Sequence, residues 1–279
     1  MTNLLKVWFR QCYAHAVLIG GMVFLLAPVV LIVCSSTHLT QTLQQQGLQW
    51  FFGDQLLKNY SQILAFEAGF FDQVTPLAML KNSLIVGFGV AALTTLFSIL
   101  TAYAIVFCRM SGAKWVFWIV FATLLFPLES RFVTTFQVAV ELGLVNSHLG
   151  IILPVLAMAL GTFFFRQYFL TLPEQLTEAA ILDGAGPVRF FVDIIVPLSL
   201  SRAGAIFVIA FMIGWNQYLW PLMISTDDTL YTLVRGIRLV GQESGPGMAL
   251  VVITILPPFI LLIAFQRWFY RTLHSIDTH

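Results

Sequence analysis

The chain is poor in charge. Asp, Glu, Lys and Arg make up 10% of its 279 residues, whereas a soluble globular domain carries roughly a quarter. That shortage excludes a large soluble domain. Acidic and basic residues nearly cancel, 13 against 14, so there is no chain-wide basic field of the kind that neutralises nucleic-acid phosphates, and no nucleic-acid partner is expected. Cys12, Cys34 and Cys108 are too far apart for C-x-x-C chemistry, which points away from both a disulfide framework and a zinc site. The phosphate loop G-x-x-x-x-G-K-[ST] is missing, so ATP is not expected to bind this chain. His15, His38, His148, His274 and His279 have no H-E-x-x-H or comparable spacing, which removes the ligand pattern of an intramembrane metallo-hydrolase. No catalytic, cofactor-binding or metal residue is expected.

What the chain has instead is apolar length. Apolar side chains make up 59% of it, and uncharged stretches cover 16–34, 83–108, 149–165, 203–225 and 249–265, each near the roughly 20 residues that cross a bilayer. A sixth stretch, 115–128, gives only about 21 Å of uncharged helix at 1.5 Å per residue. A crossing there must continue through Glu129 and Arg131. The expectation is an all-α polytopic membrane protein forming a single transmembrane domain over 1–279, with six spans at about 13–35, 82–108, 114–134, 148–166, 202–225 and 248–266.

The first run follows Lys6 and Arg10 but exceeds a signal h-region and precedes no A-x-A site, so it reads as a retained anchor. Short basic loops resist translocation. With the amino terminus inside, Lys6, Arg10, Arg109, Lys114, Arg166, Arg189, Arg202, Arg267 and Arg271 are cytoplasmic. Lys58, Lys81, Arg131, Arg235 and Arg238 are outside. The bias places both termini in the cytoplasm. The outer loop 37–81 then carries a polar run at 40–46 and amphipathic material at 60–71, which would lie over the outer surface.

The loop 167–201 is cytoplasmic and reads as two short helices. Thr171-Leu172-Pro173-Glu174 has capping-box spacing, and the first helix runs to about Asp183. Gly184 stands where a helix end favours a left-handed residue, and Gly186-Pro187 closes the turn and starts the second helix. Phe190, Phe191 and Ile194 form its apolar face, and Pro197 is expected to stop it. Periodicity alone leaves two readings open: a helix pair lying on lipid headgroups, or a docking surface.

These residues carry a resemblance. Glu178-Ala179-Ala180, then Gly184, then Ile194 and Pro197, resemble the EAA loop of binding-protein-dependent ABC importer permeases; that family usually has leucine where Val196 stands. Asp183-Gly184-Ala185 and 214–222, with Asn216, Gln217 and Pro221, are similar to carbohydrate-type permeases. Phe165-Arg166-Gln167, Thr171-Leu172-Pro173 and Glu129-x-Arg131 resemble the glycerol-3-phosphate branch. The resemblance implies a type I ABC importer in a bacterial inner membrane. In such an importer a second permease subunit pairs with this chain, two copies of a cytosolic ABC ATPase bind ATP and Mg, and a periplasmic solute-binding protein delivers the solute. The implied solute is sn-glycerol-3-phosphate or a related glycerophosphodiester. The alternative within the family is a disaccharide or polyol.

By the same resemblance Glu178, Ala179, Ala180, Asp183, Gly184, Pro187, Phe190 and Pro197 form the ATPase-coupling element, with Ala179 and Ala180 permitting close packing. A secondary transporter is the rival of a different class, but it would need ionisable groups near the membrane centre, and the sequence has none at mid-span. Asn216 and Gln217 lie about 21 Å along the fifth span from Arg202. They read either as solute contacts or as amides that join helices. Arg131, about 25 Å along the third span, reads as an organophosphate contact or an interfacial anchor, with Glu129 beside it. The outer loop 226–247 carries Arg235, Arg238 and Glu243 among Gly241, Gly245 and Gly247. By resemblance to the maltose-type permease it projects toward the binding protein; otherwise it is an ordinary turn.

Overall fold

The computed structural model describes residues 2–65, 74–108, 110–127, 129–156, 158–241 and 243–274. Side chains are described from Arg10 to Gln266, those of Glu129 and Met158 excepted. Among the described residues there is no strand. The helices are α1 (Thr2–Ser35), α2 (Thr40–Gln46), α3 (Leu56–Leu64), α4 (Pro76–Phe107), α5 (Ala113–Ala122), α6 (Phe132–Glu141) and α7 (His148–Ile152). They continue with α8 (Met158–Phe169), α9 (Glu174–Leu182), α10 (Pro187–Phe190), α11 (Val196–Trp215), α12 (Leu219–Ile224), α13 (Leu233–Val240) and α14 (Gly245–His274).

Four helical stretches are long and apolar enough to cross a membrane: Arg10–Ser35, Pro76–Phe107, Pro187–Trp215 and Gly245–Gln266. A bent pair, His148–Val155 with Ala159–Phe169, makes a fifth, and Ala113–Leu125 is shorter. The pattern is consistent with six crossings, and three of the expected spans are interrupted: the third, the fourth, and the fifth, 202–225, where α11 ends at Trp215 and α12 follows from Leu219. The expected third span, 114–134, is not one helix. After α5 a 3-10 turn, Thr123–Leu125, ends at Phe126, which is extended (φ −92°, ψ 115°), because Pro127 disfavours a helical residue before it. A second 3-10 turn, Glu129–Arg131, then leads into α6. In the fourth, Pro154 sits in the 3-10 turn Leu153–Val155 and Leu156 leaves helical geometry (ψ 113°), so α7 and α8 are separate helices.

Pro197 does not stop a helix, contrary to the sequence expectation. The five residues Phe191–Ile195 form a π-helical turn in which the N–H of Val196 reaches Phe191 O, and α11 follows directly with Pro197 in its first turn. A proline ring collides with the carbonyl four residues back in an α-helix. The wider π turn relieves that conflict and carries the axis on. The capping box is also absent: Pro173 is the N-cap of α9 and makes no side-chain cap bond, while the Thr171 hydroxyl donates to Tyr168 O at 2.7 Å. Two segments expected as loops are partly helical. The polar run 40–46 is α2, and 226–247 contains a 3-10 turn, Asp228–Leu230, and α13. Part of the amphipathic stretch 60–71 lies outside the described residues.

Contacts divide the chain into two units, Met1–Pro76 with Gly236–Ile255, and Leu77–Arg235 with Leu256–His279. In the first, the apolar side chains of α1 from Tyr13 to Val30 stand largely exposed. In the second, α4 and α11 cross at close range. A Cβ added at Gly87 would meet the Phe211 ring at 2.7 Å, and one at Gly214 would meet Val90 at 2.8 Å. Small residues at such a crossing let helices pack where lipid supplies no hydrophobic drive. The second unit has two apolar clusters. One joins Tyr103, Phe165, Phe169, Ala180, Phe190 and Ile195; the other joins Val86, Val90, Ile151, Ile152, Trp220 and Ile224.

Candidate functional site

The segment from α9 to the start of α11 is a built hairpin. At the end of α9 the N–H of Gly184 bonds Ile181 O at 3.0 Å, and the N–H of Ala185 bonds Ala180 O at 2.9 Å. Together these are the paired closures of a Schellman motif. Gly184 has φ +69°, as its position in the sequence predicts, and a Cβ there would meet nothing within 4 Å. The requirement for glycine is therefore conformational and not steric. Gly186 caps α10, with Pro187 in its first turn.

The hairpin is held from inside by aromatic packing. Phe190 is buried against Tyr103 and Phe107 of α4, with Phe107 to Phe190 centroids 5.4 Å apart, and Phe191 lies 4.9 Å from the Tyr103 ring. The Tyr103 hydroxyl donates to Pro187 O at 2.7 Å, so a residue of α4 ties down the first turn of α10. Ala180 is buried in the same cluster, which leaves only Ala179 of the alanine pair on the surface. Glu178, Ala179, Asp183, Gly184, Pro187 and Pro197 are exposed. Three residues that the sequence reading passed over stand out beside them: Ile181 at 63%, Leu182 at 87% and Val188 at 76% exposed. Their signal was an apolar Ile-Leu pair directly before the turn. Arg189 and Asp193 pair at 3.3 Å on the exposed side, where an ion pair contributes little.

Asn216 and Gln217 lie at the break after α11. Each amide nitrogen donates back along its own helix, Asn216 to Met212 O at 2.9 Å and Gln217 to Ile213 O at 3.1 Å. Beyond the break, Trp220 is fully buried and donates its indole N–H to Gly150 O at 3.0 Å. Arg131 is half-buried at the end of its 3-10 turn, and the Glu129 side chain lies outside the described residues. Among the described residues no hydrogen bond joins Arg131 to Asn216 or Gln217.

The segment 226–247 separates into two environments. Arg235 is only 8% exposed. Its Nη1 donates to Ser225 Oγ at 2.6 Å, Ser225 O at 2.7 Å and Pro221 O at 3.2 Å, and its guanidinium lies 3.7 Å from the Tyr231 ring centroid. It ties α12 to α13 and is not presented outward. Nearby, Asn146, with φ +54°, accepts at Oδ1 from the N–H groups of Thr226 (2.7 Å) and Asp227 (3.2 Å). The Asp227 carboxylate is held below its ordinary range by the Thr229 hydroxyl and then by the Thr229 N–H. Arg238, Gly241 and Glu243 instead line an open polar cleft of about 640 Å³ with Thr40, Gln44 and Ser244. Gly245 opens α14, where a Cβ would collide with His38 O.

Residues 92–275 match the family of binding-protein-dependent transport system inner membrane components. The chain belongs to that family. As a member it is a multi-pass inner-membrane transport component, in keeping with its apolar helices. Among curated relatives, the sn-glycerol-3-phosphate transport system permease protein UgpE of Yersinia pestis is 41% identical over 268 residues, covering 94% of this chain and 95% of the relative. The protein of that name from Salmonella typhi is 39% identical over 267 residues, covering 94% and 95%. The one from Brucella melitensis is 36% identical over 268 residues, covering 93% and 94%. A chain of a bacterial ABC transporter involved in the import of the acidic polysaccharide alginate superposes with a TM-score of 0.78 at 19% identity, over 92% of this chain and 95% of that one. It is similar in fold.

Proposed function

We propose that this family member is one of two permease subunits in an ATP-driven importer of sn-glycerol-3-phosphate or a related glycerophosphodiester. The observation that carries the solute is the 36–41% identity, nearly end to end, with permeases named for that substrate. Two cytosolic ABC ATPases bind ATP and Mg and supply the energy, and a periplasmic binding protein delivers the solute. The coupling element is the hairpin of 167–201. Glu178, Asp183 and the Gly184 turn present a rigid shape beside the exposed Ile181, Leu182 and Val188, and an apolar face rimmed by carboxylates fits a partner groove with a basic edge. Movement of the ATPases passes through Phe190 to α4.

On the solute side, the broken helices at Phe126–Pro127 and at Asn216–Gln217 support a pathway, because non-helical backbone at membrane depth persists where it lines a cavity. Arg131 there matches phosphate geometry. The decisive measurement is ATPase activity of the reconstituted importer, comparing glycerol-3-phosphate, a glycerophosphodiester and maltose, each with its loaded binding protein. Stimulation by the phosphate compounds alone is expected. Stimulation by maltose alone would overturn the solute, and no stimulation by any would overturn the importer. Arg131→Gln raises the half-saturation concentration for the phosphate solute; an unchanged value removes Arg131 from the pathway.

A further inference from the structure

Residues 47–53, beyond the end of α1, hold three exposed aromatic side chains in a fixed place. Trp50, Phe51 and Phe52 are 57%, 84% and 71% exposed, and on α3 Leu57 and Leu64, seven residues apart and so on one face, are exposed as well. Apolar exposure along α1 itself is what lipid contact predicts. Exposure of this size outside a spanning helix needs a partner.

The hydrogen bonds say where the aromatic tip lies. The Ser35 hydroxyl accepts from the N–H of Gln49 at 2.9 Å, and the Thr37 hydroxyl accepts from the N–H of Gly53 at 2.7 Å. Thr37 O accepts from the N–H of Gln55 at 2.9 Å. Asn59, buried, donates from Nδ2 to Ser36 O at 2.9 Å and His38 O at 2.8 Å. A Cβ at Gly53 would meet Thr37 O at 2.5 Å, so the chain runs directly against the helix end. Trp50, Phe51 and Phe52 are thus bracketed by two residues pinned to positions 35 and 37.

Those positions lie at a bilayer surface. The apolar stretch of α1, Arg10–Ser35, has 26 residues, about 39 Å at 1.5 Å per residue, against a hydrocarbon core of about 30 Å. Its end therefore emerges among headgroups, and the aromatic tip emerges with it. An indole is favoured at that depth, and phenyl rings beside it bury apolar area at the headgroup–acyl boundary.

We propose that Trp50, Phe51 and Phe52 form an interfacial anchor that inserts into the outer leaflet of the membrane and fixes the depth of α1. The partner is phospholipid, reached because the tip continues a surface already in lipid. The inference rests on α1 crossing the bilayer with its amino terminus in the cytoplasm, and not on the identity of the solute. The test places the photoreactive p-benzoyl-phenylalanine at position 51, and in a second variant at the exposed Gln45 on α2, in the complete importer within phosphatidylethanolamine–phosphatidylglycerol vesicles. Mass spectrometry then identifies the adducts. A several-fold excess of phospholipid adducts at 51 over 45 is expected, with or without solute. Adducts at 51 confined to the binding protein or to the second permease subunit, equal lipid yields at both positions, or no lipid adduct at 51 would each overturn the anchor. Because solute stimulation of ATPase activity is measured separately on the same vesicles, failure of the anchor and failure of the transport assignment are told apart.

Discussion

The two ends of the second unit are held together by different forces. Around α12 and α13 polar joints are added to the apolar cluster of Trp220 and Ile224: Arg235 on Ser225 and Pro221, Asn146 on Thr226 and Asp227, Trp220 on Gly150. Asn82 adds bonds to Thr229 O (2.7 Å) and Tyr231 O (3.0 Å). Around the α9–α10 hairpin the joints are aromatic, with Tyr103 giving a hydrogen bond from α4. The first region turns its strongest group, the Arg235 guanidinium, inward. The second turns Leu182 and Val188 outward. A polar latch closes on itself and sets geometry, whereas a packed hairpin with an uncovered apolar face is shaped for something else to complete it.

Arg235→Ala should have the largest effect on stability. It leaves the Ser225 and Pro221 acceptors unpaired in a buried site, at a cost on the order of 2–4 kcal/mol. Thermal unfolding of the purified complex and abundance in membranes would both fall. Arg235→Lys should recover only part, since an ammonium on a flexible stem does not reproduce the planar guanidinium's contact with the Tyr231 ring. An Ala variant of normal melting temperature would show that the Arg235 latch is not structural.

Gly184→Asp acts at the other region and should leave abundance near normal. Only the left-handed backbone resists it, by about 1 kcal/mol, but a displaced turn misplaces the docking face. Loss of ATPase retention, or hydrolysis uncoupled from uptake, is expected, and Glu178→Lys should behave alike. Full coupled transport in both would remove the hairpin from coupling.

Tyr103→Phe is a finer cut. It keeps the rings packed and deletes one hydrogen bond, worth about 0.5–1.5 kcal/mol. Solute moved per ATP should fall while ATPase retention persists. If Gly184→Asp uncouples and Tyr103→Phe does not, packing alone steadies α10.

The smallest effect is expected at Asp227. Its folded carboxyl is held low by Thr229, so the stabilisation is present above the ordinary carboxylate range and is lost as pH falls through the depressed folded value. Thr229→Val should lower the melting temperature slightly at neutral pH, with the difference closing in acid. A difference that does not vary with pH would assign the loss to packing.

Much of the hairpin was legible because its signals are local. Gly184, Gly186-Pro187 and the apolar period from Phe190 each act within a few residues. The apolar runs at 16–34, 83–108 and 249–265 likewise fall on the long helices α1, α4 and α14. What escaped depends on distant partners. Nothing near Arg235 in sequence announces that its acceptors lie 10 and 14 residues upstream, nor that Tyr103 meets Pro187 across 84 residues. Pro127 and Pro154 stand inside apolar runs long enough to read as single spans, and the backbone breaks at Phe126 and Leu156 beside them. Thr171 had the right spacing for a cap, but its hydroxyl found Tyr168 O first. Pro197 misled for the opposite reason: a rule for α-helices was applied to a turn that is not one.

That turn, Phe191–Ile195, also sets an angular phase. An α-helix advances about 100° per residue, so one residue more or fewer between two faces turns one face away from its neighbour even when the axis stays straight. The π turn holds that extra residue between Phe190, lodged against α4, and Ser199 and Ala205, buried along α11. It works as a keyed shaft: deletion of a single residue there would leave both helices intact and the chain continuous, yet would swing α10 by about 100° and point Phe190 away from its aromatic seat.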